Sequence, residues 1–150
     1  MLLAHTGVGI FALGIVFSAG EKQEMSLNVT QGEQVSVAGY QFRFHTLNLL
    51  AGKNYTAEQA IIDISRDDQP LAQVAPERRF YSARRQLMIE PGIAWDSLTE
   101  WYVVMGEKTG DNRYAMRFYV QSGIRWVWFG AVIMMAGGML GWWRGRRACA

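Results

Sequence analysis

The chain reads as a membrane protein in which two transmembrane α-helices flank a small all-β domain, an antiparallel barrel or sandwich. Three observations predict that class. Residues 1–20 and 126–143 are apolar, and all thirteen carboxylates of the 150-residue chain lie between them. Twenty helical residues rising about 1.5 Å each cover roughly 30 Å, the hydrocarbon thickness of a bilayer. Between the two ends, apolar and polar residues alternate with a period of two, the pattern of half-buried strands. The expected organisation is a helix over 1–20, a β domain over 21–123, a helix over 124–143 and a tail over 144–150.

The first span opens the chain without a Lys or Arg. Ser18, Ala19 and Gly20 are small enough for a signal peptidase, so a cleaved leader is the rival reading. Against it, the apolar run exceeds a usual signal core and lacks a basic start. A chain that begins inside a span is expected to be the last part of a longer multi-span protein, either a fragment or one product of a split gene.

In the middle segment Val35 and Val37, then Tyr40, Phe42 and Phe44, alternate with Gln41, Arg43 and His45. Ile62 and Ile64 repeat the pattern, as do residues 101–105 and 114–120. Turn chemistry separates these strands at Gln31-Gly32-Glu33, Gly52-Lys53-Asn54, Asp67-Asp68-Gln69-Pro70, Pro91-Gly92 and Gly110-Asp111-Asn112. Residues 97–101 are compatible with a helical turn. In the second span, Trp126 and Trp128 at one end and Trp142 and Trp143 at the other form the aromatic girdles expected at the two interfaces.

Orientation follows from the tail, which carries Arg144, Arg146 and Arg147 and no acid. Short basic flanks stay in the cytoplasm, whereas a segment of about 100 residues does not count in that rule. The tail is therefore expected in the cytoplasm and the β domain outside, in the periplasm of a Gram-negative inner membrane.

A mean hydropathy of −0.02 hides this layout by averaging greasy ends with a polar middle. The overall charge of +2 is equally uninformative, because residues 21–123 hold eleven Lys and Arg against thirteen Asp and Glu. That balance excludes the bulk basic character of nucleic-acid binders. The single cysteine, Cys149, falls in the tail, so the β domain needs an ordinary core in place of a disulfide.

The sequence contains no Gly-rich phosphate loop, Cys pair, His-x-x-x-His or nucleophile elbow. Asn28-Val29-Thr30 and Asn54-Tyr55-Thr56 match the glycosylation pattern by chance. His5 stands out, since an ionisable side chain inside a span is a functional-site hypothesis by default and imidazole is a standard axial ligand of haem iron. Gly9 follows one turn later, with Gly7 and Gly14 nearby, leaving room for a flat group. The alternative is a histidine hydrogen-bonded to headgroups or a neighbouring helix, and the residues leave both open. His45, on the polar side of a strand, reads as a surface residue. Arg125 either snorkels to the interface or pairs with an anionic ligand group. Gly137 and Gly141, four apart, permit close helix packing. Arg78, Arg79, Arg84 and Arg85, interleaved with Phe80 and Tyr81, suit a solvated hairpin or a site for an acidic partner or a propionate.

Five motifs in order carry a resemblance: Leu2-Leu3-Ala4-His5-Thr6-Gly7-Val8-Gly9, Gly52-Lys53-Asn54-Tyr55, Pro76-Glu77-Arg78-Arg79-Phe80-Tyr81, Trp101-Tyr102-Val103-Val104-Met105-Gly106-Glu107 and Arg125-Trp126-Val127-Trp128-Phe129-Gly130. Over nearly its whole length the chain resembles the C-terminal section of the CcmF/NrfE family of cytochrome c-type biogenesis proteins. It departs from that family in having Gln121-Ser122-Gly123 where a Pro commonly precedes the Arg-Trp motif.

The resemblance implies part of a haem lyase subunit of the bacterial inner membrane, which helps attach haem to apocytochrome c and is not catalytic alone. It implies that His5 is one axial ligand of a haem b, the other coming from an upstream segment absent from this chain. The implied partners are that upstream part, other maturation subunits including a haem chaperone, apocytochrome c and membrane lipid. With no Cys in the β domain, thiol reduction falls to a separate thioredoxin-like reductant. The competing function is a membrane-tethered docking module with no cofactor of its own.

Overall fold

The structure, a computed structural model, describes residues 2–20, 22–96 and 98–148. Cys149, Glu21 and Ser97 lie outside the described residues. The order of elements is α1 (Leu2–Gly20), β1 (Gln23–Thr30), β2 (Gln34–Val37), β3 (Tyr40–Ala51), β4 (Tyr55–Arg66), β5 (Gln69–Val74), β6 (Glu77–Tyr81), β7 (Gln86–Glu90), β8 (Gly92–Trp95), β9 (Thr99–Gly110), β10 (Arg113–Ser122) and α2 (Ile124–Ala148). Two compact units result, one of residues Gln23–Val120 and the other of the two chain ends. The expected class, two apolar helices flanking an all-β antiparallel sandwich, is what the chain forms.

In the β unit, one sheet runs β1-β10-β9-β8 and the other β2-β3-β4-β6-β7, with β5 also on β4. Chemistry at the turns fixes the hairpins. Ala38 and Gly39 have φ of 53° and 79°, and Asp67 and Asp68 of 50° and 61°. Two left-handed central residues make the primed turn whose twist suits a hairpin. The Asp67-Asp68 pair completes its turn alone, so Gln69 and Pro70, expected in the turn, instead begin β5. That strand pairs only with β4, and an edge tolerates proline.

Alternation builds the core, since period-two apolar residues from both sheets meet face to face. Phe42 stacks on Phe118 at 5.2 Å, Phe44 on Tyr114 at 6.3 Å and Tyr40 on Trp101 at 5.2 Å between ring centroids. Ile62, Ile64, Val103, Met105 and Met116 complete the buried set. Trp101 also explains why the helical turn expected over 97–101 does not form from Thr99 onward. Those residues start β9, which carries the indole into the core.

Two irregularities shape the unit. The register of β3 on β4 shifts between Phe44 and Thr46, so His45 is the extra residue of a bulge and points outward. It stands 3.4 Å from the Asp63 carboxylate as an exposed pair. Along the other edge of β4, β5 and β6 pair in tandem on either side of Pro76, which is fully buried and whose carbonyl accepts from Ala60 N at 3.0 Å. After β7, Pro91 turns the chain from one sheet into the other. Gly92 then passes so close that a Cβ there would lie 2.8 Å from Pro76 Cδ.

The unit formed by the chain ends is an antiparallel helical hairpin. Its seam follows positions 4, 7, 11, 14 and 18 of α1, the three-four spacing of a coiled-coil stripe. Small residues bring the backbones together: Gly7 faces Met134 and Gly130, Gly130 faces Phe11, Gly14 faces Val127, and Gly137 faces Ala4. The close-packing pair is therefore Gly130 with Gly137, because a Cβ at Gly141 would meet nothing within 4 Å. At the open end of the hairpin Gln121 Nε2 donates to Ser18 Oγ. Gly123, at φ 88°, leads into α2 from a left-handed conformation closed to proline. The helix α2 continues through residues 144–148, expected as tail.

Candidate functional site

Helix α1 positions His5. The seam uses Ala4 and Gly7, so at 100° per residue the imidazole projects from the opposite side and is exposed. Gly9, Ala12 and Val16 share that outward face and are exposed too. A Cβ at Gly9 would meet no atom within 4 Å, leaving the backbone beside His5 open to a flat group. Thr6 Oγ1 is turned inward to its own helix, donating to Leu2 O at 3.0 Å, and does not compete for that face. Both helices are long and apolar enough to cross a membrane.

Arg125 lies in the first turn of α2 and is exposed. The hairpin sets Ala4 against Gly137 and Gly14 against Trp126. His5 and Arg125 are thus about eleven helical residues apart along the axis, roughly 16 Å. The structure leaves the two candidate residues at separate levels. Among the described residues no three His, Cys, Asp or Glu converge as a metal site. His5 is the one histidine of the helical hairpin.

The arginine cluster splits in two. Arg78 is only 15% exposed and its Nη1 donates to Glu58 at 2.8 Å. Arg79 Nε donates to Glu77 at 2.7 Å, its Nη1 approaches Glu90 at 3.4 Å, and its guanidinium covers the Tyr55 ring at 5.0 Å. The hydrogen bond to Glu77 raises the Arg79 pKa further, against the cost of burial. The expected solvated hairpin is corrected for this half. Strand register places Glu58 directly opposite Arg78, and cross-strand charges of opposite sign pair. Arg84 and Arg85 remain exposed in the turn before β7, available to an anion.

Sequence reasoning missed one surface. Tyr102, Val104 and Gly106 of β9 and Ala115, Arg117 and Tyr119 of β10 line a hollow of about 800 Å3 on the face away from the core. Tyr102 and Tyr119 meet edge to face at 5.4 Å. The signal was present in the polar phase of both strands, where aromatic residues replace the charged ones typical of a solvated face.

Residues 20–122 match the family model described as the CcmF C-terminal beta-sandwich. The chain is 53% identical over 146 residues, 97% of its length, to the probable cytochrome c-type biogenesis protein NrfE of Escherichia coli K12. It is 40% identical over 140 residues, 93% of its length, to the cytochrome c-type biogenesis protein CcmF of Haemophilus influenzae. The solved structure of a cytochrome c heme lyase, CcmF, shares its fold over 92% of the chain, with a TM-score of 0.70 at 17% identity. The chain spans about a quarter of the length of these relatives: 26% and 22% of the two sequences and 23% of the solved chain.

Proposed function

This chain belongs to the CcmF/NrfE family of cytochrome c-type biogenesis proteins as its C-terminal β-sandwich section, and we propose that it acts as part of a haem lyase subunit, supplying one haem ligand and a docking domain. The observation that carries this reading is His5 on the outward face of α1, beside the open backbone of Gly9. An ionisable side chain within a span is by default a functional-site hypothesis, since such residues usually face a protein interior or a water-filled cavity.

A haem b held at this face would supply a one-electron iron centre whose potential is set by its ligands and burial. His5 would hold the iron through one imidazole nitrogen. Gly9 and Ala12 keep the adjoining helix surface low enough for a macrocycle to approach. Helices of the upstream section complete the site with a second histidine and exclude lipid from it. Arg125, at its separate level, offers a guanidinium to an anionic group of a ligand or headgroup at the membrane edge. The β domain lies in the periplasm and the C-terminal tail in the cytoplasm of the inner membrane, in keeping with the terminal arginines. Partners in this reading are the upstream section, a haem chaperone, a thioredoxin-like reductant and apocytochrome c.

Co-expression of the chain with the upstream section tests the ligand. His5→Ala is expected to lose haem absorbance while membrane insertion is retained, and added imidazole to restore part of it. Full haem content with an unchanged spectrum in His5→Ala would remove the ligand assignment and favour the docking module without cofactor. Sidedness is tested separately: alkaline phosphatase fused near Gly110 is expected to be active and at Ala150 inactive, and the reverse would invert the topology.

A further inference from the structure

Strand β7 ends its sheet, with β6 on one edge and, among the described residues, no strand hydrogen-bonded to the other. Natural edges are usually blunted by Lys, Pro, a bulge or a cover. This one is not. Leu87, Met88 and Ile89 are consecutive, uncharged and 43, 44 and 46% exposed. Their register with β6 is unbroken, so the outward N–H and C=O groups stay aligned as a template.

A second unbonded edge borders the same space. Strand β8 covers β9 along residues 100–103, and among the described residues β9 beyond Val103 has β10 on one side and no bonded strand on the other. Ile89 lines the 800 Å3 hollow together with Val104, Gly106, Glu107 and Thr109 of that half of β9. Side chains alternate along a strand, so Leu87 and Ile89 lie on one face of the sheet and Met88 on the other. A partner pressed on one face would cover only one set, whereas an added strand lies beside both and satisfies the backbone.

Charge gives direction. Arg84 and Arg85 are exposed in the turn that enters β7, and Lys53 is in the β3–β4 turn at the same end of the sheet, since Tyr55 pairs with Tyr81. No carboxylate occurs in residues 50–57 or 80–89. An antiparallel guest would bring its C-terminal end to these cations, whereas a parallel guest would bring its amino end. We propose that β7 receives an extended segment of a partner polypeptide as an added antiparallel strand, with alternating apolar residues and acidic groups at its C-terminal end. This inference extends the docking role of the domain and does not rest on haem ligation by His5.

The probe is a fluorescent peptide of about nine residues, a strand's length, alternating valine and threonine and ending in two glutamates. It is titrated onto the full chain in lipid nanodiscs, with amide exchange read in parallel. Saturable binding is expected, with slowed exchange at Gln86–Glu90 and no change at β1, an edge strand of the other sheet. Arg84→Glu is expected to weaken this peptide by about fivefold, the scale of a surface charge pair, and to strengthen one ending in two lysines. Met88→Lys is expected to abolish binding of both with the thermal melt unchanged. Should Met88→Lys unfold the domain, the charge swap at the exposed Arg84 decides. No protection at β7, equal affinity of Arg84→Glu for both peptides, or protection that tracks protein concentration without peptide would overturn the proposal. The last outcome would mean that a second copy occupies the edge. Haem absorbance is untouched by any of these outcomes, which separates this test from that of His5.

Discussion

Replacing Gly92 by alanine probes the corner where the chain changes sheets. The added Cβ would lie 2.8 Å from Pro76 Cδ, 2.9 Å from Pro76 N and 3.0 Å from Ala75 N, whereas ordinary contact begins at 3.4 Å. Something must yield by about half an ångström. The obstacles are a proline ring and backbone, and Pro76 is fully buried, so no flexible side chain can swing aside. Overpacking of this kind costs about 1–3 kcal/mol. For a domain of about 100 residues, each kcal/mol lowers Tm by about 4–8 °C, so the expected fall is roughly 5–20 °C. The assay is a thermal melt of the chain in detergent followed by near-ultraviolet circular dichroism, to which the buried Trp101 contributes. Gly110→Ala is the control, because a Cβ there meets nothing within 4 Å. A Gly92→Ala variant that melts with the wild type, or a control that falls as far, would refute the account of the corner.

Gly130→Leu should force α1 and α2 apart, because even a Cβ would lie 2.5 Å from Phe11 N. In a Cys149→Ser background, the distance between spin labels on the exposed positions Leu3→Cys and Met139→Cys is expected to lengthen in Gly130→Leu and not in Gly141→Leu, whose site is open. Tyr114 is held above the ordinary tyrosine range by burial first and by the Glu58 charge second, with Arg78 opposing. The unfolded chain then loses its phenolic proton first, so this contribution to stability is intact below the ordinary range and is lost as pH climbs through the folded value. Ultraviolet titration should show a late tyrosine that disappears in Tyr114→Phe, together with a flatter alkaline loss of stability; a titration identical in both proteins would count against it.

Strands with one buried face were legible because burial itself imposes the alternation. Val35 and Val37, Phe42 and Phe44, and Ile62 and Ile64 are all in the core where their spacing placed them. Strands β5 to β8 were not, since each contains or adjoins a proline and the tandem pairing on β4 breaks the period at Pro76. Residue 99 onward resisted reading because the demand to bury Trp101 is tertiary. The ion pair of Arg78 with Glu58 joins residues twenty apart, a distance at which local spacing carries no information. His5 was visible as the one titratable group inside the first span, but its face depended on which small residues pack against α2, and that is a property of the pair of helices.

The pairing of Gln23 with Val120 has a consequence for the helices it connects. An unstructured linker of about 100 residues would tax closure of the hairpin by loop entropy that grows by about 0.6 kcal/mol with each doubling of length. Once β1 lies beside β10, both ends of the excursion leave from adjacent strands, about 5 Å apart. To α1 and α2 the folded domain then acts as a tight turn. Five doublings are removed, worth about 3 kcal/mol of effective concentration. The β-sandwich thereby acts as a clasp, and unfolding it should loosen the helical hairpin without touching a single contact in the seam.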